Sequence, residues 1–207
     1  GILHSDWCMV HGFDTSVDFG TRFALIPVSE LTIEDTWHTA GMRATGSNAV
    51  VVEEVFVPVE RTCDGTHLRE SASEISDDLL GRLPLISVLA FVSSAPAVGA
   101  AEEALAAYAT RVRERVLAYS LGDKAADQPQ VQARLAAITS SVDGLVASWR
   151  ASIAELESVE GEPSDLIRAR SRLAAAAAVR SARQAIGEIG EGAGASVYAT
   201  SHPLQRL

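Results

Sequence analysis

The 207 residues predict an α+β protein, a partial antiparallel β domain followed by an up-and-down bundle of long α-helices. Two observations carry this. Between Trp7 and Val59 the apolar residues come in short runs rich in β-branched and aromatic side chains, broken by Gly, Asp and Ser. Beyond Leu83 they recur at three- and four-residue steps over long, alanine-rich stretches.

The β region is assigned to residues 1–62 and holds three such runs, WCMVHGF, TRFALIPV and AVVVEEVFVPV. Pro27 and Pro58 suit strand ends, where a missing N–H costs little. The polar, acidic stretch 63–82 reads as an ordered linker with one short helical turn. The bundle takes residues 83–207. Its first helix runs through SVLAFVSSAPAVGAAEEALAAYATRVRERVLAYS, with a kink or local break expected at Pro96, and GDKAADQP forms the turn after it. A second helix from Pro129 to Val159 lines up Val131, Leu135, Ile138, Val142, Leu145, Trp149, Ile153 and Leu156. EGEPSD closes it and opens a third, with Pro163 or Ser164 at the cap and Asp165 in the first turn, ending in GEGAGAS. Helices of roughly 40–50 Å joined by short turns are antiparallel neighbours. Three of them leave a face open. The alanine run Leu173–Val179 is expected to need cover from a further helix beyond Leu207 or from another subunit.

The formal net charge is −10, the basic residues are nearly all arginine, and no basic stripe appears, so a nucleic-acid surface is disfavoured. No uninterrupted apolar run reaches the roughly 18–20 residues of a membrane span, and no membrane partner is expected. The start, GILHSDW, lacks a signal-peptide pattern, and Cys8 and Cys63 suit a reduced compartment; the expected location is cytoplasmic. His4, His11, His38, His67 and His202 show no metal spacing.

Chemistry concentrates in three places. GMRATGSN admits an anion loop built on Gly41, Arg43 and Gly46, or a strand-to-strand turn with a surface arginine. Arg111, Arg113 and Arg115 form either a solvated helix face or, with Arg115 and Tyr119 four residues apart, a phosphate site between helices. Gly190, Gly192 and Gly194 let a helix end lie tight against a ligand or another backbone. Ser196 stands in no GxSxG and follows a helix, so it is not a hydrolase nucleophile.

Read together, WHTAGMRATGSNAVVVEEVFVPVERT, the long-helix bundle and GASVYATSHPLQRL resemble the acyl-CoA dehydrogenase superfamily, at the passage from its middle β domain to its C-terminal helical domain. The GASVYATSHPLQRL ending resembles the type-2 branch, the reduced-flavin-dependent monooxygenases. The resemblance covers essentially the whole chain. It implies a flavoprotein oxidoreductase using reduced FMN or FAD from a separate flavin reductase, with O2, on a small aromatic or secondary-metabolite substrate. It implies a homotetramer, and a chain here lacking the family's N-terminal helical domain and last helix. The catalytic histidine is then expected beyond Leu207. Carried over by motif, Gly192, Gly194 and Ser196 match the helix end that touches the phosphate-bearing side of the flavin. Arg115 is the candidate for the phosphate-binding arginine, with Arg111 and Arg113 as alternatives, and Trp37 and Arg43 match the β-domain motif. The rival activity is dehydrogenation of an acyl thioester; a non-catalytic oligomerising fragment is the third reading.

Overall fold

The computed structural model describes residues 1–16, 20–71, 76, 78–118 and 120–206. The fold is α+β, a small antiparallel sheet unit and a bundle of long helices. The chain divides into two compact units, Gly1–Glu70 and Ser71–Leu207.

In the first unit, β1 (Trp7–Asp14) and β2 (Gly20–Pro27) pair antiparallel from Trp7↔Pro27 to Asp14↔Gly20. His11 stacks on Phe23, directly opposite, at 4.4 Å between ring centroids, a cross-strand pair that fixes register. Three further short strands are β3 (Thr32–Glu34), β4 (Ala49–Val51) and β5 (Thr62–Asp64). β5 completes a sheet of order β1-β2-β5, and β3 pairs with β4. Two expectations need correction. The run AVVVEEVFVPV is not one strand: β4 ends at Val51, and Glu54 turns the chain with a left-handed φ of 51°. Thr62–Asp64, whose last two residues were assigned to the linker, belongs to the sheet and pairs with β2.

Asp14, at the end of β1, accepts hydrogen bonds from the hydroxyl and the backbone N–H of Ser16 and from Arg22 Nε at 2.9 Å. Those bonds, the Ser16 hydroxyl first, lower its carboxyl from 3.8 to about 2.

The second unit contains α1 (Leu79–Arg82), α2 (Leu85–Glu114), α3 (Pro129–Glu157) and α4 (Asp165–Ala193). α2 passes unbroken through Pro96, which lies on the exposed side, where water can replace the missing bond. By length and composition α2 could cross a bilayer, a test that the core helix of a bundle also passes. Here it packs against both other long helices of the bundle. Val98, Ala101, Ala104, Tyr108 and Val112 are buried against Ile138, Val142 and Leu145 of α3 and Ala178, Ala182, Ala185 and Ile189 of α4. α4 packs chiefly on α2. Alanines on both sides let the two helix axes come close. Ser164 caps α4, accepting from Ile167 N–H, and Asp165 in the first turn complements the helix dipole. A second cluster joins Leu83, Phe91, Leu156 and Ala175. Beside it Trp149 Nε1 donates to buried Ser94 Oγ (2.8 Å), which donates to the Phe91 carbonyl (3.0 Å). Leu173 remains 70% exposed on α4, so part of the alanine run does face outward.

The first helix ends earlier than its apolar pattern suggests. Arg115 is extended (φ −72°, ψ 123°), and an antiparallel bridge Val116↔Lys124 folds the chain back. Arg115 therefore lies past the helix, and the expected pairing with Tyr119 falls outside the described residues.

Two tests follow from this packing and from Asp14. Ala182→Leu forces a larger side chain into a fully buried contact and is expected to cost about 1–3 kcal/mol, read as a lower urea midpoint at unchanged m-value. For Asp14, a folded pKa below the unfolded value of about 3.9 means that its stabilisation is complete above that pH and is lost as pH falls toward 2. Carboxyl carbon-13 titration is expected to place its midpoint near 2, and Asp14→Asn to weaken the acid dependence of stability in that window.

Candidate functional site

A helix leaves its last four carbonyls without intrahelical partners. At the end of α4 the Ala193 carbonyl accepts from Arg111 Nε at 2.9 Å and from Arg115 Nη1 at 3.3 Å. Arg111 Nη2 also donates to Ser196 Oγ at 2.7 Å, on the 3-10 turn Ala195–Tyr198. Both arginines come from the end of α2, Arg111 in its last turn and Arg115 just past it. Arg115 is held by its own backbone, with its N–H on the Arg111 carbonyl (2.9 Å) and its carbonyl accepting from Ala125 N–H (2.8 Å). Two guanidiniums side by side repel. The negative end of the α4 dipole offsets that repulsion, and among the described residues neither is ion-paired.

These side chains open onto a depression of about 560 Å³, lined along α2 by Ala106, Ala107 and Thr110 and bordered by Arg111, Arg115, His202 and Leu204. Glu103 and Glu114 also line it. Glu103 lies two turns back from Arg111, about 12 Å along the helix, whereas Glu114 shares the last turn with Arg111. Guanidinium N–H groups with a neighbouring hydroxyl make a donor set for an oxyanion such as a phosphate.

Two glycines shape the end of α4 beside these arginines. A Cβ on Gly192 would stand 2.5 Å from Tyr108 Oη and 2.9 Å from Arg134 Cδ, so only glycine admits the buried tyrosine there. Gly194 has φ 85° and ψ 174°, a backbone that side chains avoid, and its Cβ would lie 3.3 Å from both terminal nitrogens of Arg115.

The structure thus brings Arg111, Arg115, Gly192, Gly194 and Ser196 together. Arg113 is exposed and not among them. Trp37 and Arg43 lie in the other unit, where they line a depression of about 530 Å³ with His38, Thr39 and Ala40. There GMRATGSN forms the turn between β3 and β4. Asn48 Oδ1 accepts from the N–H groups of Thr36 and Trp37, and Arg43 Nε donates to the Thr39 carbonyl at 2.8 Å. Met42 adopts a left-handed φ of 56°, held by hydrogen bonds to its carbonyl from Trp37 Nε1 (3.0 Å) and Thr45 Oγ1 (2.8 Å). Arg43 Nε and Thr45 Oγ1 are turned onto the segment's own backbone, as in the strand-to-strand turn. His4, His11 and His38 are exposed, and the side chain of His67 lies outside the described residues. Among the described residues no three His, Cys, Asp or Glu side chains gather as a metal site. Sequence reasoning assigned no site role to Tyr108 or His202. The first was legible as Tyr108 three residues before Arg111; the second had no signal beyond its nearness to Ser196.

Comparison with known proteins adds a family context. A family model described as acyl-CoA dehydrogenase, C-terminal domain, matches residues 91–207. The oxygenase subunit HsaA of a flavin-dependent monooxygenase from Rhodococcus jostii (strain RHA1) is 33% identical over 221 residues, spanning 100% of this chain and 56% of that protein. The oxygenase component of an FADH(2)-dependent resorcinol hydroxylase from Rhizobium sp. (strain MTP-10005) is 34% identical over 128 residues, 58% of this chain and 31% of that protein. The solved structure of XiaF from Streptomyces sp. in complex with FADH2 and glycerol matches with a TM-score of 0.87 at 32% identity, covering 100% of this chain and 54% of that one. The chain spans about half the length of the curated relatives it matches over its whole extent.

Gly192→Ala is expected to lower stability by about 1–3 kcal/mol through its clash with Tyr108. Tyr108→Phe removes the clashing hydroxyl, so the double variant is expected to recover part of that loss. Additive losses in a chemical-denaturation cycle would contradict the contact.

Proposed function

Because the chain belongs to the acyl-CoA dehydrogenase family, whose C-terminal-domain model it matches over more than half its length, we propose that it is part of the oxygenase component of a two-component flavin-dependent monooxygenase. The observation that carries this reading is the pair Arg111 and Arg115, not ion-paired at the end of α4, beside Ser196 and a depression of ligand size. That donor set fits the phosphate-bearing side of a flavin. Arg111 and Arg115 supply charge and N–H donors, Ser196 adds a hydroxyl, and the bare backbone at Gly194 leaves Arg115 room.

Bound reduced flavin supplies the electrons that activate molecular oxygen. The protein's part is to bind, orient and shield. We favour reduced FAD over FMN, since FADH2 is named for two relatives above 30% identity, whereas the FMN-bound TdsC is 21% identical. A small phenolic substrate is in keeping with the resorcinol hydroxylase likeness. A separate flavin reductase and a homotetrameric assembly belong to the same reading. Trp37 and Arg43 are assigned to the flavin-facing side of the β unit on their motif. Catalysis is assigned to none of His4, His11, His38, His67 or His202.

The test uses the full-length protein with chemically reduced FAD, mixed rapidly with oxygenated buffer. A transient absorbing state that outlives the free-flavin reaction, with hydroxylated product when a phenol is present, is expected. Direct return to oxidised flavin, together with bleaching of that oxidised flavin by an acyl-CoA, would move the protein to the dehydrogenases.

A further inference from the structure

His202 is the one imidazole lining the depression beside the arginines, and its surroundings fix its proton. The backbone N–H of Leu204 donates to His202 Nδ1 at 3.2 Å, so Nδ1 is the acceptor nitrogen and the neutral ring carries its proton on Nε2. Nε2 has no partner of its own among the described residues. The ring is also held in place. His202 N–H donates to the Ala199 carbonyl at 2.8 Å, and the His202 carbonyl accepts from Gln205 N–H at 2.9 Å. Gln205 Nε2 donates to the Val197 carbonyl at 2.8 Å, and Leu204 packs on the bundle core. A tight turn anchored at two points thus places His202 in the lining that it shares with Arg111 and Arg115.

We propose that His202 is a further donor of this anion site, beside Arg111, Arg115 and Ser196, giving Nε2–H as an uncharged hydrogen bond to a phosphate oxygen held by the two arginines. The inference rests on the flavin reading above. It adds a residue that neither charge nor motif singles out. An uncharged donor suits the place: a third cation beside two guanidiniums would add repulsion, whereas a neutral N–H adds a bond without charge.

The experiment compares FMN with riboflavin, which differ only in the phosphate, as dissociation constants by flavin fluorescence quenching on the full-length protein. Wild type is expected to prefer FMN. His202→Ala is expected to weaken FMN about tenfold, the worth of one hydrogen bond to a charged group, while leaving riboflavin unchanged; the unchanged riboflavin affinity reports an intact fold. His202→Gln, whose amide N–H reaches toward the place of Nε2, is expected to restore most of the preference. If wild type prefers FMN and His202→Ala keeps the same ratio, the role of His202 is overturned and the arginine site stands. If wild type shows no preference for FMN, both the arginine reading and this inference are overturned.

Discussion

The close approach of α2 and α4 is the constraint on which the helical unit depends. Ala101 and Ala104 on one helix and Ala178, Ala182 and Ala185 on the other leave little between the two backbones, and all five are buried. Each alanine buries little apolar surface by itself, so the interface gains chiefly from many short-range contacts at high packing density. Its geometric effect is larger than its energetic one. Because the axes are close, the last turn of α2 and the last turn of α4 finish within side-chain reach, and arginines on the first can satisfy a carbonyl on the second. Larger residues along this seam would separate the helices and leave the Ala193 carbonyl to water.

The β unit follows another rule. Its loop between β3 and β4 is held by a few polar groups rather than by a core. One amide oxygen, on Asn48, accepts from two successive backbone N–H groups, and Ala49 N–H in turn donates to Thr36 Oγ1 at 2.9 Å. Such a loop keeps a strained residue, Met42, in a rare conformation because every neighbouring bond requires it. The composition that reads as an anion site is therefore the composition of a self-satisfied turn. Glycine, threonine, serine and arginine serve both, and only the identity of the acceptors separates them.

Much of this was legible in advance. The period change near Leu83, the stripe from Val131 to Leu156 and the Ser164–Asp165 start are local signals, and the helices α3 and α4 lie where they indicate. The early end of α2 was not legible. VLAYS continues an apolar helical pattern, and only the pairing of Val116 with Lys124, across a turn through Gly122, ends the helix. The break of AVVVEEVFVPV at Glu54 was hidden for a similar reason, since glutamate gives no hint of a left-handed backbone. At the site, residue types were readable and partners were not. Arg111, Arg115, Gly192, Gly194 and Ser196 stand out in the sequence, whereas the acceptor that gathers the two arginines is a main-chain oxygen with no side-chain signature. Gly192 opposite Tyr108 is likewise a fact of packing between residues more than eighty positions apart.

The sharing of one carbonyl by two arginines has a thermodynamic side. The end of α4 is completed by groups that also line an open pocket, so fraying of that helix and dispersal of the two arginines are one event. Anything that binds only the assembled arginines draws the local opening equilibrium toward the closed form, by an amount set by its concentration relative to its dissociation constant. Hydrogen-exchange protection of the last α4 amides then becomes a meter of occupancy, read without any chemistry taking place.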